Sequence, residues 1–142
     1  MHFQIRDTRR LSFFPVGLVG KLGISSPIVK NGKIVGFFDD WKGNRLFPVD
    51  MAGFAINLQT IRKAWSDIGA LEMPFTVSYE EDGFLRQLGV SPEEGEPLAN
   101  NCTKVLVWHT KTYFTPIKEE EKGILRKEGL FDTNIPKIYP IT

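Results

Sequence analysis

Asn31-Gly32, inside the stretch PIVKNGKIVGFF at 27–38, is the feature that most narrows what this chain can fold into. The pair supplies the two positive-φ residues of a type I′ turn, and apolar residues flank it on both sides. Pro27–Lys30 and Lys33–Phe38 are therefore predicted to form a β-hairpin. Other segments also read as strands. LSFFPVGLVG (11–20) is rich in aromatic and branched residues, as a buried strand is, and KVLVWHT (104–110) is a continuous apolar run of the kind found in central strands. LFPVDMAGFAINL (46–58) is predicted to be a strand running towards a helix.

That helix is the stretch LQTIRKAWSDIG, with Leu58, Ile61, Trp65 and Ile68 at helical spacing and Gly69 as its stop. A second, SYEEDGFLRQLG (78–89), opens on a capping box from Ser78 to Glu81 and ends at Gly89, with Phe84, Leu85 and Leu88 on one face. After Pro116 the chain alternates charge, proline and glycine, with room for a short helix at 118–128. Strands mixed with two or three helices predict an α/β or α+β layer structure. Four or five strands and a long irregular tail fit part of a domain better than a complete one.

Composition excludes several classes of function. The chain has 142 residues, enough for one modest domain or half of a larger one, and a formal net charge of +1. No overall field recruits nucleic acid or an anionic membrane, and RDTRR at 6–10 is too short for a nucleic-acid patch. One cysteine and two histidines allow neither an internal disulfide nor a Cys/His metal cluster. The first twenty residues hold no long apolar run. With Met1 as the true start, the chain reads as cytosolic and soluble.

The candidate chemistry begins at Asp50, a carboxylate in the most apolar stretch of the chain, FPVDMAGFAINL. An ionised group there needs a partner, either structural or a ligand. Arg45, five residues earlier, fits a structural ion pair. It also fits a pocket in which Arg45 and Asp50 bind a polar ligand such as a sugar. Trp41 would then offer an indole face to the C–H face of a pyranose, or else pack in the core. Glu80, Glu81 and Asp82 suit the positive end of a helix dipole, and one of them could equally serve as a general base. His109 at a strand end, with Lys111 two residues on, is either structural or placed to neutralise a diphosphate. Asn101-Cys102-Thr103 is a glycosylation sequon, which matters only in a secretory lumen.

Taken together, FFPVGLVG, VKNGKIVGFFDDWKGNRLFPVDMAGFAINL and LANNCTKVLVWHTKT, in this order, resemble the C-terminal half of the animal β-1,3-glucuronyltransferases. The similarity runs from about Phe3 to Thr112 and fades in the tail. It implies the C-terminal part of a Rossmann-like, A-type glycosyltransferase fold, an α/β structure with a mixed sheet and flanking helices. Residues 1–115 would be the acceptor-binding half and 116–142 an irregular tail. It also implies an inverting transfer of glucuronic acid from UDP-glucuronate to the 3-hydroxyl of a terminal galactose, by a Mn²⁺-dependent homodimer on the lumenal side of the Golgi membrane.

Carried over by position, Glu81 in EEDGFL becomes the catalytic base, and Arg45 and Asp50 hold the sugars. Trp41 lies at the acceptor site, while His109 and Lys111 meet the UDP diphosphate. Ser25 stands where the family usually has an acceptor-binding glutamate, and Lys111 where it has an arginine. The family's Asp-rich manganese motif and its membrane anchor precede the segment that matches FQIRDTRR, and Asp39-Asp40 aligns elsewhere. The resemblance therefore implies that this segment alone does not catalyse transfer. A truncated, non-catalytic sugar-binding or dimerising module is the alternative; a glycosidase with Asp50 and Glu81 as paired carboxylates is a third.

Overall fold

The first apolar run does not form one strand. Pro15 has no amide hydrogen to give to a ladder, and in the computed structural model the run divides into β1 (Leu11–Phe13) and β2 (Val16–Gly17). The structure describes residues 4–41, 43–72, 80–109 and 119–127. After β2 come β3 (Ile24–Lys30) and β4 (Lys33–Phe38), then β5 (Phe54–Ile56), α1 (Leu58–Ile68) and α2 (Glu80–Arg86). β6 (Glu96–Pro97), α3 (Leu98–Cys102), β7 (Val107–Trp108) and α4 (Glu119–Lys127) complete the order. The architecture is mixed α/β, with both parallel and antiparallel pairs.

Each half of the divided run belongs to a different sheet. β1 lies between β5, antiparallel, and β6, parallel. β2 joins the order β4-β3-β2-β7, antiparallel to β3 and parallel to β7. The hairpin forms as predicted, with Asn31 at φ 52° and Gly32 at φ 72°, although β3 begins earlier, at Ile24. The expected central strand at 104–110 is shorter: among the described residues β7 covers Val107 and Trp108, at the end of the strand order. Val105 nevertheless is fully buried, which explains the apolar run.

The core gathers Leu11, Phe13, Ile34, Phe37, Phe47, Val49, Leu85 and Leu88 between the sheets and the helices. Phe13 is its centre, edge-on to Phe37 at 5.3 Å and stacked on Phe47 at 6.0 Å. α1 spans the predicted residues, with Asn57 as N-cap and Gly69 in the left-handed region as C-cap. Its orientation differs from what its periodicity suggests. Thr60 and Ala64 are buried and Ile61 is half-buried, while Leu58, Trp65 and Ile68 are exposed. Small residues at i and i+4 let the helix approach the core closely, which leaves the bulkier stripe outside. The predicted capping serine, Ser78, lies outside the described residues.

Gly95 sits against this core. A Cβ there would lie 2.6 and 2.7 Å from Phe13 ring carbons and 3.0 Å from the Pro92 carbonyl oxygen. Phe13 has no open side to move into, being fully buried. Gly95→Ala is therefore expected to destabilise the chain by about 1–3 kcal/mol, the usual cost of overpacking, read as a lower urea midpoint at unchanged m-value.

α3 winds left-handed: Ala99, Asn100, Asn101 and Cys102 have φ of 55°, 58°, 54° and 59°. Such residues cost about 1–2 kcal/mol each, so tertiary contacts must hold them. The Cys102 thiol points inward to the Phe13 carbonyl oxygen at 3.6 Å, and Lys104 N donates to Ala99 O at 3.2 Å. Burial pushes the Cys102 thiol up to about 12, which leaves it inert as a nucleophile. No helix among the described residues is long and apolar enough to cross a membrane.

Candidate functional site

The segment from Asp39 to Asp50 is the hub of the site, because four other parts of the chain fasten to it. Asp39 and Arg45 form its base. The Asp39 carboxylate accepts from Arg45 Nη2 at 2.9 Å and from the Trp41 amide at 2.8 Å. Both side chains are almost fully buried, at 6% and 5% exposure. The loop is thus closed on its own ion pair, with the Trp41 indole turned outward and 59% exposed. Asp40 fastens the neighbouring loop by accepting from Lys21 N at 2.8 Å. Gly20, at φ 59°, has no Cβ to meet the Asp40 side chain, which would lie at 2.8 Å.

Asp82 ties the start of α2 to the same segment. It is 3% exposed, accepts from Phe47 N at 2.7 Å and is bridged by Arg86 Nε at 2.8 Å. The bond to Phe47 spans 35 residues of sequence. It brings the first turn of α2, with Glu81, beside the run that ends in Asp50. Glu81 is half-buried and makes no hydrogen bond or ion pair with any other described residue.

Asp50 itself is not within a strand. The expected strand over this stretch is confined to β5, and Asp50 is the N-cap of a 3-10 turn at Met51–Gly53. Oδ1 accepts from Ala52 N at 2.9 Å, and Oδ2 faces His109 Nδ1 at 2.9 Å. The Asp50 amide donates to Ser25 Oγ at 3.3 Å. A cap geometry and an imidazole, rather than Arg45, are what hold the carboxylate in its apolar surroundings. His109 follows β7 directly, and its amide continues the pairing by donating to Gly17 O at 2.9 Å.

Of the predicted site residues, the structure pairs Asp50 with His109, and it joins Arg45 to the Trp41 amide through Asp39; Glu81 precedes Asp82, which is bonded to Phe47 N. Lys111 lies outside the described residues. Asn101 is exposed on the left-handed turn, and Thr103 Oγ1 in the same sequon donates to Asn100 O at 2.7 Å. Ser25, which the resemblance placed at an acceptor-binding position, here holds the Asp50 amide; Asp39 and Asp82 are site-forming residues that sequence reasoning set aside or read as dipole partners. Of the latter two, a signal existed for Asp82, which precedes the core residue Leu85 by three positions and so shares its face of the helix.

No group of three or more metal-ligating side chains fit for a cation occurs among the described residues. Asp39 and Asp40 are engaged in the ion pair and the loop contact just described. The Mn²⁺ implied by the resemblance therefore does not fit the residues described. A cavity of about 340 Å³ lies elsewhere, between Arg9, Thr60, Lys63 and Leu88, and has none of Asp50, Glu81 or His109 in its wall.

Comparison with known proteins gives the context for this hub. Residues 1–113 match the profile of Glycosyltransferase family 43. Galactosylgalactosylxylosylprotein 3-beta-glucuronosyltransferase S of Drosophila melanogaster is 44% identical over 128 residues, covering 90% of this chain and 29% of that protein. Galactosylgalactosylxylosylprotein 3-beta-glucuronosyltransferase 2 of Homo sapiens is 43% identical over 127 residues, covering 84% of this chain and 36% of that protein. Galactosylgalactosylxylosylprotein 3-beta-glucuronosyltransferase 3 of Mus musculus is 41% identical over 126 residues, with 89% and 36% covered. The chain spans about a third of the length of these curated relatives. Its mixed α/β sheets and the match over most of its length agree: the chain belongs to Glycosyltransferase family 43.

Proposed function

We propose that this chain is the acceptor-binding part of an inverting β-1,3-glucuronosyltransferase. The donor is UDP-glucuronate and the acceptor a galactose-terminated glycan of the proteoglycan-linker type. One observation carries the reading: the 39–50 segment is tied both to α2, through Asp82 and Phe47, and to the end of β7, through Asp50 and His109. The loop also carries the exposed Trp41 indole, and Glu81 stands next to Asp82 at the start of α2.

In this reading the galactose ring stacks on Trp41, and Arg45 acts by closing the loop that presents the indole. Asp50 borders the sugars. Glu81 takes the proton of the 3-hydroxyl as that oxygen attacks the anomeric carbon of glucuronate. The new C–O bond forms as the bond to the UDP oxygen breaks on the opposite face. One displacement with one base inverts the centre. His109 and Lys111 meet the diphosphate as it gains negative charge. We place the enzyme in the Golgi lumen, where the exposed Asn101 sequon would be a glycosylation acceptor.

A non-catalytic module is the second reading, favoured by the apolar stripe of Leu58, Trp65 and Ile68 on α1, a surface suited to a second copy. A graft separates the two. The chain replaces the corresponding C-terminal part of the 44% identical Drosophila relative, and glucuronyl transfer to a galactose-terminated oligosaccharide is followed. The graft is expected to transfer with inversion, read from the anomeric coupling of the product, and the isolated chain is expected not to. An inert graft beside an active parent favours the non-catalytic module. Transfer by the isolated chain would place every needed group within it.

A further inference from the structure

Asp50 is held on three sides by its own chain. Ala52 N–H occupies Oδ1, His109 Nδ1 occupies Oδ2, and Ser25 Oγ accepts from the Asp50 amide. The Asp50 side chain is 12% exposed, against 53% for His109. A carboxylate has no hydrogen to donate, so the proton in the Asp50–His109 bond belongs to Nδ1. The ring is also fixed from behind, since the His109 amide is bonded to Gly17 O. The backbone bond holds the ring's origin and the carboxylate holds its rotation. Nε2 is then the one ring nitrogen left to meet a ligand.

We propose that Asp50 is a positioning residue for His109: it accepts Nδ1–H, and so fixes the tautomer and the ring orientation that present Nε2 outward. The use of Nε2 towards a diphosphate oxygen rests on the function proposed above. The positioning itself rests only on the geometry. Three neighbours keep the carboxylate in place for this task. Ser25 fixes its backbone, the cap bond to Ala52 fixes Oδ1, and the burial of Val49 beside it anchors the segment. Each oxygen of the carboxylate already accepts one bond from the chain, and one of those bonds goes to the imidazole. The tautomer of a functional histidine is set in this way, by the bond its other nitrogen makes.

The Asp50→Asn variant gives a reversal that a merely structural role does not predict. The side-chain oxygen of the introduced amide is retained by the Ala52 N–H, since two N–H groups cannot face each other there. Its NH₂ then turns to His109 and donates to Nδ1. Nδ1 becomes the acceptor and the proton moves to Nε2. Because the cap bond survives, the fold should too, and the backbone ¹⁵N spectrum checks this.

The measurement is ¹⁵N NMR of the imidazole nitrogens of the chain at about pH 8.5, roughly two units above the ordinary histidine pKa. The chain has two histidines, so His2→Gln assigns the spectrum. Wild type is expected to carry the proton on Nδ1 of His109, and Asp50→Asn on Nε2. An Nε2–H tautomer in wild type overturns the proposal without need of any variant. So does an unchanged tautomer in a folded Asp50→Asn protein. Titration of the Drosophila graft with UDP, its His109 signals assigned by His109→Gln, reads the functional clause separately and is expected to shift Nε2 more than Nδ1. If UDP moves neither nitrogen while the tautomer reverses as expected, the diphosphate role falls and the positioning stands.

Discussion

Glu81→Gln in the Drosophila graft lowers kcat by about 10²–10⁴-fold, the range a general base supplies, and leaves the KM for UDP-glucuronate within about twofold. The change keeps the shape of the side chain and removes its basicity. Glu81 has no described hydrogen-bond or ion-pair partner, so its loss leaves no buried group unpaired. Stability should therefore move by no more than about 0.5 kcal/mol, as for other substitutions that break no buried contact. Its neighbour behaves differently. Asp82 holds Phe47 N and Arg86 and is 3% exposed, so replacing it acts on the fold first. A kinetic assay paired with urea unfolding separates the two carboxylates. Equal loss of donor binding and turnover in Glu81→Gln, with a lowered urea midpoint, would make Glu81 a structural residue and leave the reaction without its base.

That contrast marks what could be read from residues and what could not. The hairpin was legible because Asn31-Gly32 dictates its own backbone geometry, and α1 because its caps and period are local. Family membership was legible because long blocks such as DMAGFA and NCTKVLVWHT are specific. Side-chain partners were not. Sequence distance suggested Arg45 for Asp50, five residues away, yet the imidazole that takes it arrives 59 residues later through the β2–β7 pairing. Asp82 stood among three acidic residues at a helix start, where the dipole suits them all. Only the long-range bond to Phe47 singles it out. The facing of α1 was not legible for a related reason: a period tells which residues share a face, and packing decides which face turns inward.

The same distinction makes Arg45 the position with the largest expected effect on stability. Its guanidinium and the Asp39 carboxylate are 5% and 6% exposed, so the pair is screened little by water. Arg45→Met keeps the aliphatic stem and removes the charge. It leaves Asp39 buried without its counter-charge, with the Trp41 amide still donating to it at 2.8 Å. Breaking a buried pair from one side costs about 3–5 kcal/mol, far more than the pair adds over an apolar replacement. Urea unfolding should read that loss. The double variant Arg45→Met with Asp39→Asn should regain a large part of it, because the orphaned charge is gone while an acceptor for Trp41 N remains. Trp41 supplies a second readout. Its loop is closed by the Asp39–Arg45 pair, so single-variant fluorescence should report a changed indole environment before global unfolding. A single variant as stable as wild type would mean that Arg45 can turn outward at little cost, and the sugar-binding role expected from the resemblance would then pass from the loop it closes to the guanidinium itself.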